Sequence, residues 1–100
     1  MADNYRVQIT TRAFADLERI FEYIKRDSPQ NAAKMIQTLL DAIEGLSILP
    51  RRFDVPRTGS PRGRKIRSMP VKPYLVRYRI DEREHIVSIL RVSHGARRRP

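Results

Sequence analysis

One hundred residues suffice for one compact domain, which buries roughly 60 to 70% of the surface its unfolded chain exposes, and leave no room for a second. The absence of cysteine excludes disulfides, thiolate metal sites and a cysteine nucleophile. No stretch reaches the roughly 18 apolar residues that cross a bilayer, and residues 1–6 lack the pattern of an export signal, so a cytoplasmic protein without membrane contact is expected. The net charge of +10 is unevenly placed: residues 1–50 hold 6 Lys/Arg against 7 Asp/Glu, whereas residues 51–100 hold 15 against 4, and 13 of those 15 are Arg.

In chain order, Tyr5, Val7 and Ile9 alternate with Arg6, Gln8 and Thr10, the period of a half-buried strand over about residues 5–10. Thr10 or Thr11 can cap a helix over 12–26, with Phe14, Leu17, Ile20, Phe21 and Ile24 as its apolar stripe. Asp16, Glu18, Arg19, Glu22 and Lys25 then take the solvent side. Ser28 as N-cap and Pro29 at the first helical position start a second helix almost at once, with Ala33, Ile36, Leu39, Leu40, Ile43 and Leu46 on its stripe. The short link favours an antiparallel hairpin. Pro50 closes it, and Arg51 to Gly63, rich in Arg, Pro and Gly, reads as a basic surface loop.

Three strands follow, over 65–71, 74–80 and 85–93, separated by Pro70/Pro73 and by the charged turn Asp81-Glu82-Arg83-Glu84. In the middle one Tyr74, Val76, Tyr78 and Ile80 share a face and Leu75, Arg77 and Arg79 the other. The last strand is apolar on both faces, with Ile86, Leu90 and Val92 opposed to Val87 and Ile89, so it is either central or covered by a partner. The expected fold is α+β, in the order β-α-α-β-β-β: an antiparallel helical hairpin packed on one face of an antiparallel sheet, one domain over 1–100 with a basic tail at 97–100.

The concentration of arginine, a side chain suited to bidentate pairing with phosphate or carboxylate, points to a polyanion or an acidic peptide as partner. The cluster Arg62, Arg64, Lys65, Arg67 and the tail Arg97-Arg98-Arg99 carry this most strongly, because a merely solvated charge run would include more acids. Gly59-Ser60-Pro61-Arg62-Gly63 lacks the spacing and the Lys-Ser/Thr of a phosphate-binding loop and reads as a turn. His85 falls in a turn and is expected to be solvated; His85 and His94 have no acidic partners in their strands and make no metal-ligand set, so neither metal nor cofactor is expected. Tyr74 and Tyr78 could stack on bases, but alternation puts them with Val76 in the core.

The element order and three passages of sequence resemble the RelE/ParE family of type II toxins over nearly the whole chain. The first is Phe21-Glu22-Tyr23-Ile24 followed by Ser28-Pro29-Gln30-Asn31-Ala32-Ala33; the second runs from Ile66 to Ile80; the third is Ile89-Leu90-Arg91-Val92-Ser93-His94-Gly95-Ala96-Arg97. The last two are the more specific, and their wording looks more like the ParE branch, known for poisoning DNA gyrase, than the RelE branch of ribosome-dependent messenger RNA nucleases.

The resemblance implies a toxin neutralised by a cognate acidic antitoxin in a hetero-oligomeric complex, with gyrase as target and ribosome-bound messenger RNA as the alternative; a plain nucleic-acid-binding module is a third reading. The surface expected to grip target or antitoxin comprises Arg64, Lys65, Arg67, Arg77, Arg79, Arg91, His94, Arg97, Arg98 and Arg99. In RelE-like nucleases the sheet face away from the helices gathers cations and histidine, a set that Arg77, Arg91 and His94 match in part. With those three, His94 would be the acid or base and the arginines would clamp phosphate. Gly95 stands where some relatives have a tyrosine, and no carboxylate lies in the expected second to fourth strands, so binding rather than catalysis is the expected mode of action.

Overall fold

In a computed structural model, which describes residues 4–53 and 65–95, the alternating N-terminal segment forms β1 (Arg6–Ile9). Thr10 joins it to α1 (Thr11–Lys25) and works in two directions. Its oxygen accepts the Ala13 N–H at 3.2 Å, and its hydroxyl donates to the Ile89 carbonyl at 2.7 Å. One side chain thus caps the helix and ties its start to the sheet. Ser28 accepts the Asn31 N–H at 3.1 Å, and Pro29 opens α2 (Pro29–Glu44), as the sequence anticipates. Two 3₁₀ turns, Gly45–Ser47 and Pro50–Arg52, carry the chain on from α2.

The remaining strands are β2 (Arg67–Val71), β3 (Tyr74–Asp81) and β4 (Ile86–His94), and the sheet order is β1-β4-β3-β2. The last three form the expected antiparallel meander, but β1 runs parallel to β4, with Arg6 opposite Ile86 and Ile9 opposite Ile89, so the sheet is mixed rather than antiparallel throughout. Pairing across some eighty residues leaves no turn signature in the sequence. Central placement explains why β4 is apolar on both faces. Of the two outer strands, β1 and β2, the latter carries Pro70.

A bulge sets which side chains of β4 face the core. Arg77 lies opposite Arg91 while the next residue, Tyr78, lies opposite Ile89, which leaves Leu90 without a partner. Past the bulge the alternation inverts. Val92 joins Val87 and Ile89 in the core instead of siding with Ile86 and Leu90, which corrects the facing expected from strict alternation.

The core lies between the hairpin and one face of the sheet, with Leu17, Leu39, Ile43 and Leu46 against Met69, Val76, Tyr78, Val87 and Ile89. Each such side chain contributes about 1.5–3 kcal/mol by leaving water. The buried Tyr78 hydroxyl donates to the Pro50 carbonyl, and burial raises its pKa. Both helices are rotated from the expected stripes. On α1 the buried residues are Ala13, Asp16 and Leu17, and Phe14 is 54% exposed; on α2 Ala32 is buried and Ala33 exposed. Close approach of helix to sheet selects alanine at Ala13 and turns the bulkier Phe14 outward.

Candidate binding surfaces

The register places one set of polar side chains on the sheet face turned away from the helices. Arg77 sits opposite Ser68, Arg79 opposite Ser88, and Ser88 opposite Gln8, whose amide donates to the Ser88 hydroxyl at 3.1 Å. Arg6, two residues before Gln8, shares this face. Leu75 adds an apolar element. β3 ends in Asp81, one residue beyond the expected strand, so a carboxylate does lie within it. That carboxylate accepts the Arg83 and Glu84 amides, both at 3.1 Å. Among the described residues no carboxylate lies within ion-pairing distance of Arg6, Arg77 or Arg79.

A second constellation forms where β1 stops. β1 flanks β4 only as far as Ile89, and beyond it the side chain of Asp16 stands against the strand edge. Asp16 is 2% exposed. One of its oxygens accepts the Val92 N–H at 2.8 Å and Arg91 Nε at 2.9 Å, while the other accepts Arg91 Nη2 at 3.4 Å and a bond from Arg19. Burial pushes the Asp16 pKa up, but hydrogen bonds from Arg91 and Val92 and the charges of Arg91 and Arg19 outweigh it and hold the carboxyl below its ordinary value. The same hydrogen bond raises the pKa of Arg91. A carboxylate therefore substitutes for a missing strand, against the expectation that Asp16 faces solvent. The signal in the sequence is the i, i+3, i+7 spacing of Ala13, Asp16 and Ile20, which puts Asp16 on the buried face once Phe14 turns outward.

Asp16 and Arg91 line an open groove of about 860 Å³ between α1 and the end of β4, whose walls include Tyr23, Tyr74 and His94. His94 is opposite Tyr74 on the helix side of the sheet, their rings edge to face with centroids 5.4 Å apart. Burial and the nearby Tyr23 raise the pKa of Tyr74. Charges in this groove are balanced, with Arg19, Arg26 and Arg91 beside Asp16, Glu18 and Glu22.

The residues expected to form one surface are thus divided. Arg77 and Arg79 share the open face, joined by Arg6, which sequence reasoning did not select. Arg91 starts opposite Arg77, but its guanidinium is held by Asp16 at the strand edge; His94 lies beyond that edge against Tyr74. Arg67 is opposite Tyr78 on the helix side and donates to the Phe53 carbonyl at 2.7 Å. Lys65 is exposed just before β2. Arg62, Arg64, Arg97, Arg98 and Arg99, and the turn at 59–63, lie outside the described residues. At the start of the expected loop, Arg51 pairs with Glu82 and Arg52 donates to the Gly45 carbonyl at 2.9 Å, so both are engaged. His85, expected in solvent, is half-buried with φ 56° and packs its ring on Tyr5, centroids 4.8 Å apart. The Tyr5 hydroxyl donates to Glu82, which raises its pKa. Among the described residues no cluster of three or more histidine or acidic side chains is arranged to hold a metal ion, and no helix is long and apolar enough to cross a membrane.

Residues 7–99 match the family model described as the ParE toxin of the type II toxin–antitoxin system parDE. The chain is 35% identical over 88 residues to toxin RelE2 of Caulobacter vibrioides, spanning 88% of this chain and 92% of that protein. It is also similar to a chain of the RelBE2 toxin–antitoxin complex of Mycobacterium tuberculosis, at 30% identity and TM-score 0.62, covering 91% of this chain and 98% of that one. A chain of the chromosomal ParDE system of P. aeruginosa shares the fold at TM-score 0.75 and 20% identity, covering 93% of this chain and 98% of that one.

Proposed function

The chain belongs to the ParE toxin family of type II toxin–antitoxin systems, and from that premise we propose that it arrests growth by gripping a macromolecular target through the open face of its sheet, without a reaction of its own, and that DNA gyrase is the target. One observation carries the choice of binding over catalysis. The three side chains that would compose a nuclease do not share one face: Arg77 is on the open face, whereas Arg91, held by Asp16, and His94, packed on Tyr74, line the groove at the strand edge. Base, acid and phosphate clamp must meet one scissile bond, and a guanidinium whose Nε and Nη2 already donate to a buried carboxylate is a poor clamp. The open face, with Arg6, Arg77, Arg79 and Leu75, instead suits an acidic surface with apolar side chains. The cognate antitoxin is proposed to cover this face with an acidic segment that orders on binding.

The test is to induce the chain alone in bacteria, then assay the purified protein for gyrase poisoning and for cleavage of ribosome-bound messenger RNA. Replacing Arg77 and Arg79 together with Gln is expected to reduce growth arrest and gyrase inhibition by about tenfold or more, since each lost charge-assisted contact is worth about 1.5–3 kcal/mol. His94→Gln is expected to leave both within about twofold of the parent. Messenger cleavage that disappears with His94→Gln would overturn the proposal in favour of a nuclease. Nucleic-acid affinity with neither growth arrest nor gyrase inhibition would reduce the chain to a binding module.

A further inference from the structure

Across the ridge that Glu18 and Glu22 form between it and the Asp16 groove, the hairpin leaves a furrow of about 490 Å³ between α1 and α2. Its walls are apolar: Ile9, Phe14, Leu17, Phe21, Ile36 and Leu40. Phe14 is 54% and Leu40 37% exposed, so the rotation of α1 that buries Asp16 also leaves an aromatic ring in water. Among the described residues the only ionisable side chains that line this furrow are those of Glu18 and Glu22, which also border the Asp16 groove, although the chain as a whole carries +10. Glu22 lies 3.7 Å from Lys25, which also stands 5.8 Å from the centre of the Phe21 ring. Glu18 has no ion-pair partner among the described residues.

We propose that this furrow is a docking site for an amphipathic helix of a partner protein whose apolar stripe is flanked by lysine or arginine. The form follows from the walls: two antiparallel helices leave a trough of the width a third helix fills, with large side chains at i, i+3, i+4 and i+7 meeting Phe14, Phe21, Ile36 and Leu40. The charge follows from the rim, because Glu18 and Glu22 attract cations at short range and repel an acidic flank. This occupant is opposite in charge to the one proposed for the open sheet face. The furrow is therefore a separate surface, and its assignment stands or falls independently of gyrase inhibition.

The experiment uses the purified full chain and two designed helical peptides of about 18 residues, sharing one leucine stripe, with Lys on the flanks of one and Glu on the flanks of the other. Binding is followed by fluorescence anisotropy, and chemical-shift changes on α1 and α2 locate it. The lysine peptide is expected to perturb Phe14, Phe21 and Leu40, and Phe14→Ser, a change at a half-exposed position checked for fold by circular dichroism, is expected to weaken it by about tenfold. Glu18→Lys with Glu22→Lys, which leaves the apolar walls intact, is expected to weaken the lysine peptide by at least about threefold while strengthening glutamate-peptide shifts at the furrow. Furrow binding indifferent to flank charge, lysine-peptide binding that survives Phe14→Ser, or shifts confined to the sheet would overturn the proposal. So would a concentration-dependent dimer dissociated by Phe14→Ser, since the occupant would then be a second copy.

Discussion

Asp16 is the residue on which the two layers of the molecule meet. Its carboxylate takes the Val92 amide, the Arg91 guanidinium and Arg19, so removing it strands a buried amide and leaves Arg91 without its counter-charge. Asp16→Ala is expected to cost about 3 kcal/mol, read as a lower urea midpoint at unchanged slope, and Asp16→Asn about half that, because an amide oxygen can still accept from Val92. The folded protein holds the Asp16 carboxyl below its ordinary pKa. Its contribution is therefore complete above the unfolded value of about 3.9 and is lost as pH falls through the lowered folded value. The acid limb of the stability profile should be shallower in Asp16→Asn than in the parent, and an unchanged limb would show that other carboxylates govern it.

At the scale of elements, the caps rank the joints. Ser28 only caps α2, whereas Thr10 caps α1 and also bonds β4. Ser28→Ala is expected to cost about 1 kcal/mol and Thr10→Ala about 2, measured by thermal or urea unfolding; equal costs would mean that the Thr10–Ile89 bond adds nothing. Both caps were legible in the sequence, as were all six elements to within one or two residues at most ends, because alternation, helical spacing and Ser-Pro punctuation act over a few residues. What escaped depends on distant neighbours. The parallel partnership of β1 with β4 has no local signature, and the extra residue at Leu90 inverts facing without altering composition. The rotation of α1 is decided by how closely Ala13 approaches the sheet. The candidate site suffered most: Arg77 and Arg79 were placed on the open face by simple alternation, but Arg91 and His94 follow the bulge, and the partner of Arg91 comes from a helix 75 residues away.

For the whole molecule, charge is segregated by surface as well as by sequence. The open face of the sheet gathers Arg6, Arg77 and Arg79 without a paired carboxylate among the described residues, whereas the furrow on the helical layer is apolar with two acids. Association of an acidic peptide with the sheet face should weaken steeply between about 0.05 and 0.3 M salt, as screening shortens from roughly 14 Å to roughly 6 Å. Affinity measured by calorimetry across that range and found flat would place apolar contact, not charge, in control. The rims of the sheet have a further consequence. On one side lies β1, four residues long, and on the other β2, where Pro70 has no amide hydrogen to offer. An unbroken ladder edge is the template on which chains stack into fibres. Here both templates are cut short, a geometry that works against edge-to-edge stacking of one molecule on the next.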